Sequence, residues 1–171
     1  MRRVKLSLAC SLDQFIAAPD GAIDWIRMDA DYGLGVFFAS IDTVLMGRHT
    51  YEFARSTGGK FLSNTRTIVF SRTLPKGIPE PRQYITGDDP ITFTRALKKN
   101  KGKDIWLCGG HQLATSLLAA GLVDDLTLAV HPVLLGGGTP VFGSLGKRQL
   151  WQFEDSKIHP NGVVTLRYSR P

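Results

Sequence analysis

Short apolar runs alternate with stretches of helix-like spacing along the chain, and this alternation predicts strands and helices in turn. Aliphatic and β-branched runs predict buried strands at Val4–Cys10, Thr43–Met46, Thr67–Phe70, Asp104–Cys108 and Leu126–Val130, with a weaker strand at Arg82–Ile85. Spacing and capping residues predict helices at Asp29–Ser40, Arg48–Arg55, Asp89–Lys99 and about His111–Ala120. The last two runs, Trp151–Ile158 and Val163–Tyr168, flank Pro160-Asn161-Gly162 and predict a closing hairpin.

The order of these elements predicts the fold class. Strands that alternate with helices form a mostly parallel sheet with helices on both faces, and the closing hairpin adds an antiparallel edge. The segments Ser11–Ile23 and Pro132–Phe142 carry turn residues and glycines and are predicted to be loops. With 171 residues, 43% of them hydrophobic, the chain suits one α/β domain over residues 1–171.

Composition narrows the classes of partner. No apolar run approaches the roughly 20 residues of a membrane-spanning helix, and the first residues lack a secretory signal, so we expect a cytoplasmic protein with no membrane partner. Cys10 and Cys108 lie in apolar runs and are expected to be free thiols. The net charge of +6 is spread along the chain without a nucleic-acid reading motif, which predicts no nucleic-acid partner. The histidines show no metal-ligand spacing, so no metal is expected.

Polar and glycine residues follow three of the predicted parallel strands. Ligands of such sheets bind outside the carboxyl ends of the strands, where the chain has Gly47-Arg48-His49-Thr50, Ser71-Arg72 and Gly109-Gly110. A glycine before a helix exposes unpaired N–H groups that bind anions, and an arginine with a serine suits an extra ribose phosphate. We call these three segments, which follow the carboxyl ends of the strands, the strand exits. Each strand exit alone is also compatible with an ordinary turn. Together the three predict a site for an extended ligand with several phosphates.

Motifs along nearly the whole chain carry a family resemblance. They are Ser11–Ala17, Asp20-Gly21, Asp24-Trp25, Met46–Glu52, Val69–Leu74, Ile105–Gly110, Gly121–Leu126 and Pro132–Phe142. In these motifs the chain resembles the dihydrofolate reductase-like superfamily, and within it the reductase domain of the bifunctional riboflavin-biosynthesis deaminase-reductase. The resemblance implies that superfamily's three-layer fold, NADPH as hydride donor and a homodimer. One departure is Gln14, where the family usually has glycine.

The resemblance also implies roles for the site residues. It places Gly47, Arg48, His49 and Thr50 near the cofactor phosphates, Ser71 and Arg72 by the adenosine 2′-phosphate, and Gly109 and Gly110, joined by a cis bond, under the pyrophosphate. The loop from Leu12 to Ile23 would border the nicotinamide and the substrate, with Asp13 and Trp25 as candidate substrate-binding residues. Asp31 is the candidate catalytic acid, and a solvated carboxylate is the alternative interpretation.

Together with these residues, the resemblance implies an NADPH-dependent reductase that transfers hydride to a small heterocyclic or carbonyl substrate. A riboflavin-precursor pyrimidine, of the 5-amino-6-(5-phosphoribosylamino)uracil type, or a pterin would be that substrate, and the proton would come from Asp31 or from water. The cofactor would carry the difficult chemistry, while the protein orients the reactants. Two alternatives stay open: a non-catalytic nucleotide-binding protein that keeps the NADPH site, and a nucleic-acid binder.

Overall fold

The structure, a computed structural model, describes residues 1–58 and 65–171. Its strands are β1 (Val4–Cys10), β2 (Phe15–Ala17), β3 (Ile41–Gly47), β4 (Arg66–Phe70), β5 (Gln83–Thr86), β6 (Asp104–Gly109), β7 (Asp125–Val130), β8 (Thr139–Pro140), β9 (Gln152–Ile158) and β10 (Val164–Ser169). Its helices are α1 (Leu34–Ala39), α2 (Arg48–Ser56), α3 (Pro90–Lys99) and α4 (His111–Ala119). The predicted strands and helices are therefore present, and most of their ends are shifted by a few residues.

Eight of the strands form one sheet in the order β5-β4-β3-β6-β1-β7-β10-β9. All pairings from β5 to β7 are parallel, whereas β10 pairs antiparallel with both β7 and β9. The mostly parallel sheet and its antiparallel closing hairpin are thus confirmed. Because the parallel strands run in one direction, their carboxyl ends lie along a single edge.

The strand β3 shows why helices cover both faces of the sheet. Successive side chains of a strand point to opposite faces. Val44 and Met46 pack in one core cluster with Tyr51 of α2, whereas Leu45 belongs to the other cluster with Leu117 of α4. Since all five of these side chains are buried, each face of the sheet requires its own helical cover.

Two segments predicted to be loops contain short strands. β2 and β8 pair antiparallel in a separate two-stranded sheet, with Phe15 opposite Pro140. Three and two residues are too few to show the alternation that identifies a strand in the sequence. This small sheet ties the loop after β1 to the glycine-rich segment after β7.

The prediction of a helix from Asp29 to Ser40 is wrong in its first turn, because α1 begins only at Leu34. Gly33 has a left-handed φ of +74°, and its N–H donates to the Asp31 carboxylate at 2.8 Å. Asp29, expected as the helix cap, instead accepts a hydrogen bond from the Asn161 side chain at 2.6 Å. The segment is therefore fixed by the β9–β10 hairpin and not by helical hydrogen bonds.

Candidate functional site

The three glycine and arginine strand exits lie side by side at the carboxyl edge of the sheet. Gly47 pairs with Phe70, the residue before Ser71, and Met46 pairs with Gly109. A Cβ atom placed on Gly47 would lie 3.7 Å from the backbone nitrogen of Gly110. The structure therefore brings the three exits into one continuous surface.

Two helix N-termini converge on this surface. α2 follows Gly47 and α4 follows Gly110, and within the described residues neither helix has a side-chain cap or an acidic residue in its first turn. The N–H groups of both first turns are therefore available to an anion. The bond between Gly109 and Gly110 is cis, as the resemblance implied.

Small side chains keep the space between the two helices open. The Cβ atom of an alanine at Gly110 would lie 3.3 Å from the Thr50 hydroxyl oxygen, which is tighter than most real contacts. Glycine at this position leaves the Thr50 hydroxyl and the helix N–H groups accessible together. The donors present, N–H groups and a hydroxyl, are those that bind phosphate oxygens, so the residues fit a pyrophosphate.

The two arginines at the strand exits differ in their contacts. Arg48 donates to both carboxylate oxygens of Glu52, at 3.1 and 3.2 Å, and its other terminal nitrogen lies 3.1 Å from Nε2 of His49. Arg72 is exposed and has no hydrogen-bond or ion-pair partner in the described parts of the chain. The charge of Arg48 is therefore balanced locally, whereas that of Arg72 remains available to a ligand.

Ser71 shapes the turn that presents Arg72. Its backbone N–H donates to the carbonyl of Thr86 at 2.9 Å, which continues the β4–β5 ladder. Its buried hydroxyl oxygen accepts hydrogen bonds from the N–H groups of Leu74 at 2.9 Å and Thr73 at 3.2 Å. The hydroxyl hydrogen can still be donated, so Ser71 is able both to hold the turn and to contact a phosphate.

Asp13 anchors the loop after β1. Its carboxylate accepts hydrogen bonds from the Ser11 hydroxyl at 2.5 Å, from Leu135 N–H at 3.1 Å and from Gly136 N–H at 2.7 Å. The Ser11 hydrogen bond above all, and then the backbone N–H groups, lower the pKa of Asp13. The carboxylate thus joins the loop to the glycine-rich segment, and its predicted contact with substrate stays a prediction.

Trp25 packs on a histidine that sequence reasoning did not select. His131 follows β7 and is 2% exposed, and its ring meets Trp25 edge-on with centroids 5.4 Å apart. The backbone N–H of Arg27 donates to Nδ1 of His131 at 3.3 Å. Burial first, and the Arg27 charge second, lower the pKa of His131. His131 therefore favours its neutral form beside the carboxyl ends of β1 and β7.

Replacing His131 with asparagine is expected to reduce the acid sensitivity of the fold. The pKa of His131 is lower in the folded protein than in the unfolded protein, where it is about 6.5. Above that pH the side chain is neutral in both states and costs no stability. As pH falls below it, the unfolded state binds the proton more readily than the folded state, which destabilises the fold. Asparagine retains an acceptor for the Arg27 N–H but does not titrate. When the pH is lowered from about 7.5 to about 5, the thermal unfolding midpoint of His131→Asn should fall by less than that of the parent protein.

The control for this measurement is His49→Asn, because the His49 side chain is 84% exposed. Its pH profile should follow that of the parent. If the profiles of His131→Asn and the parent are parallel, His131 is not the group that makes the fold sensitive to acid.

Asp31 lies beside the β9–β10 hairpin and not among the three strand exits. It is exposed, and with Asp29, Lys157, His159 and Asn161 it lines a surface depression of about 640 Å³. Asn161 also donates to the Tyr32 hydroxyl at 2.6 Å. In the sequence, Asn161 indicates only a turn, so its contacts with Asp29 and Tyr32 could not be predicted. The catalytic role of Asp31 stays a prediction.

Three further observations concern membrane spans, metal sites and thiols. Within residues 1–58 and 65–171, no helix has the length and apolar character needed to cross a bilayer. The same residues contain no group of three or more histidine, cysteine, aspartate or glutamate side chains placed to hold a metal ion. Cys10 and Cys108 are free, and burial raises the pKa of the Cys10 thiol to about 11 and that of the Cys108 thiol to about 12. Neither thiol is therefore suited to act as a nucleophile near neutral pH.

Comparison with known proteins identifies the fold and the family. The chain is 35% identical to the uncharacterized protein YyaP of Bacillus subtilis (strain 168), over 98% of this chain and 94% of that protein. A crystal structure from Shewanella sp. PV-4, of a protein provisionally assigned to riboflavin biosynthesis, has a TM-score of 0.85 and 23% identity, and covers 100% of this chain and 99% of that one.

A second solved structure with this fold is that of a bifunctional enzyme. The diaminohydroxyphosphoribosylaminopyrimidine deaminase/5-amino-6-(5-phosphoribosylamino)uracil reductase of Thermotoga maritima has a TM-score of 0.76 and 17% identity, over 99% of this chain and 57% of that one. At these identities the two structures show the fold, and this chain spans little more than half of the Thermotoga protein. Over residues 2–165 the sequence matches the RibD C-terminal domain. The chain therefore belongs to the RibD C-terminal domain family, the reductase domain of RibD.

Proposed function

We propose that this chain is an NADPH-dependent reductase that transfers hydride to a small heterocyclic substrate. The observation that carries the proposal is the convergence of two uncapped helix N-termini on the glycines Gly47, Gly109 and Gly110, beside an exposed Arg72. That arrangement supplies donors for a pyrophosphate and a cation for a further phosphate. Membership of the RibD C-terminal domain family supports a pyrimidine as substrate, and a pterin is the second candidate.

The residues of the strand exits would bind and orient the dinucleotide. The first-turn N–H groups of α2 and α4 would hold the pyrophosphate, with Thr50 as an additional donor. Arg72 and the Ser71 hydroxyl would hold the adenosine 2′-phosphate. Arg48 forms an ion pair with Glu52 in this structure. It would therefore help to bind and orient the cofactor phosphates through its N–H more than through its net charge.

The other end of the site, beside the loop after β1, would hold the substrate. NADPH, when bound, supplies the hydride. Asp13 joins the loop after β1 to the glycine-rich segment, and Trp25 packs on His131. Both would therefore border the substrate at the carboxyl ends of β1 and β7. Asp31 or water would supply the proton to the reduced product, at the nitrogen or oxygen next to the carbon that accepts hydride.

Saturation with NADPH is expected to raise the thermal unfolding midpoint. A ligand at 100 times its Kd stabilises a protein by about 2.7 kcal/mol, which corresponds to a shift of roughly 5–10 °C in a chain of this size. NADH, which lacks the 2′-phosphate, should give a smaller shift at the same concentration. Thermal unfolding with each cofactor, followed by loss of nicotinamide absorbance with pyrimidine and pterin acceptors, tests both binding and reduction.

The outcomes separate the candidate functions. NADPH binding together with acceptor-dependent loss of absorbance supports the reductase. Tight NADPH binding without turnover on any acceptor favours the non-catalytic nucleotide-binding protein. Failure of millimolar NADPH and NADH to stabilise the chain would show that the glycine turns are only structural, and the proposal would be wrong.

A further inference from the structure

The residues just before α1 lack regular secondary structure. We call residues 27–32, which include Asp31, the pre-helix segment. In the described parts of the chain this segment makes no backbone-to-backbone hydrogen bond. The helix that follows it, α1, has no buried residue of its own. Neither a strand ladder nor a buried helix face therefore holds the segment, and its position depends on side-chain contacts.

Asn161, in the turn between β9 and β10, supplies most of these contacts. Its side-chain nitrogen donates to the Asp29 carboxylate and to the Tyr32 hydroxyl, each at 2.6 Å. Its backbone carbonyl accepts a hydrogen bond from the Arg27 guanidinium, also at 2.6 Å. Among the described residues, the other hydrogen bond from the pre-helix segment to a distant element joins the Arg27 N–H to His131. A single residue thus provides three of these four hydrogen bonds.

The turn itself orients the Asn161 amide. The side-chain oxygen accepts a hydrogen bond from the Val163 N–H at 3.3 Å. The turn is closed by the Gly162 N–H, which donates to the His159 carbonyl at 2.9 Å. An asparagine amide has two donor hydrogens besides its oxygen acceptor. Because the oxygen is used inside the turn, both hydrogens face the pre-helix segment.

Tyr32 is held by its ring as well as by its hydroxyl. The ring meets the ring of His159 edge-on, with centroids 4.7 Å apart. His159 is buried, and its Nε2 lies 2.9 Å from the hydroxyl oxygen of Thr165 in β10. The hydrogen bond from Asn161 therefore joins two parts that are already ordered, the hairpin and an aromatic ring packed on it.

Asp31 lies in the sequence between the two residues that Asn161 binds. Asp29 precedes it by two positions, and the hydrogen bond from Asn161 is the largest of the causes that lower the pKa of Asp29. Tyr32 follows Asp31 directly. The Asp31 carboxylate accepts a hydrogen bond from the Gly33 N–H at 2.8 Å. Contacts on both sides therefore set the position of the Asp31 backbone, and Gly33 orients its side chain.

We propose that Asn161 is a positioning residue for the substrate side of the reductase. Its two amide hydrogens hold Asp29 and Tyr32, and thereby place the Asp31 carboxylate where the substrate would bind. The inference rests on the proposed function, and of the two proton sources named there it selects Asp31. Asn161 acts through Asp31 and not on the substrate itself.

The test exchanges the two groups of the hydrogen bond between Asn161 and Asp29. Asn161→Asp removes both donors and places two carboxylates at hydrogen-bonding distance, where like charges repel. With the acceptor found in the cofactor assay, kcat should fall about tenfold or more, while the KM for NADPH should change by less than about twofold. In the double variant D29N/N161D, the new amide and the Tyr32 hydroxyl can both donate to the new carboxylate, so kcat should return to within about threefold of the parent value.

Limited proteolysis measures the position of the segment without catalysis. Trypsin cleaves after arginine, and the bond between Arg27 and Met28 lies in the pre-helix segment. Cleavage there, identified by mass spectrometry, should be about tenfold faster in Asn161→Asp than in the parent and slow again in the double variant. Asp29→Asn alone shows whether the change next to the cleaved bond affects trypsin directly.

Two further variants serve as a graded test and a control. Tyr32→Phe keeps the ring on His159 and removes one acceptor of Asn161, so kcat should fall by a smaller factor, about threefold. Asn100→Asp makes the same charge change at an exposed position directly after α3. It should leave both kcat and the cleavage rate unchanged.

The outcomes separate this inference from the proposed function. A parent protein that reduces no acceptor overturns the proposed function, and the role of Asn161 with it. A parent that turns over, with Asn161→Asp equally active or the double variant no better than Asn161→Asp, overturns the positioning role alone. Faster cleavage with an unchanged kcat does the same, because Asn161 would then hold the segment without serving catalysis. If circular dichroism shows Asn161→Asp unfolded, an unchanged kcat in Tyr32→Phe overturns the role.

Discussion

Replacing Arg72 with alanine is expected to weaken NADPH binding by about 10- to 100-fold while it leaves NADH binding nearly unchanged. The guanidinium follows the carboxyl end of β4 and has no partner among the described residues, so its full charge would be available to the 2′-phosphate. A hydrogen bond to a charged group contributes about 1.5–3 kcal/mol, which is roughly that factor in Kd. Titration of each cofactor by fluorescence gives both affinities from one preparation.

The matched control lies at the other end of the same strand. Arg66 is also exposed, but it begins β4 at the amino edge of the sheet, away from the glycine exits. Arg66→Ala should bind both cofactors as the parent protein does. An equal loss of NADPH and NADH affinity in Arg72→Ala would mean that Arg72 does not recognise the extra phosphate, and the preference for NADPH would need another cause.

Replacing Gly138 with alanine is expected to destabilise the fold by about 3 kcal/mol or more. Gly138 has a φ of +129°, and a Cβ atom there would lie 2.0 Å from the carbonyl oxygen of Ala17. Because the obstacle is backbone, no side-chain rotation relieves the contact, and the β2–β8 pair must separate. In a chain of this size the loss corresponds to a fall of roughly 6–12 °C in the unfolding midpoint.

Gly136→Ala separates steric overlap from backbone conformation. Gly136 lies in the same segment with a left-handed φ of +72°, but its Cβ atom would meet nothing within 4 Å. The free energy of unfolding of Gly136→Ala should therefore fall only by the cost of the left-handed backbone conformation, about 1–2 kcal/mol. Equal midpoints for the two variants would show that the close approach of Gly138 to Ala17 is not what holds the loop after β1 in place.

The parts of the fold predicted correctly depend on local pattern. Buried strands such as β3 and β4 contain continuous apolar runs, Val44–Met46 and Ile68–Phe70, and a parallel sheet requires that pattern wherever both faces are covered. The three strand exits were found together for a related reason: once the strands are parallel, topology alone places Gly47, Ser71 and Gly109 on one edge. No side-chain contact had to be known to reach that conclusion.

The errors arise where a distant contact overrides the local pattern. Asp29 has the features of a helix cap, but Asn161, 132 residues away, binds its carboxylate and the first helical turn does not form. His131 showed no metal spacing and was set aside, although packing on Trp25 buries it at the sheet edge. Neither the hydrogen bond nor the burial can be inferred from residues adjacent in sequence.

The central position of β1 has a consequence for synthesis of the protein. Val4 pairs with Ile105 and Leu6 pairs with Leu126, so both neighbours of β1 lie roughly a hundred residues downstream. At about 5–20 residues per second, the ribosome needs several seconds to produce the first of them. During that time an apolar strand that belongs in the middle of the sheet has nothing to pair with. We therefore expect soluble yield to depend on how well chaperones cover residues 4–10 until β6 emerges, and slower translation to lengthen that exposure.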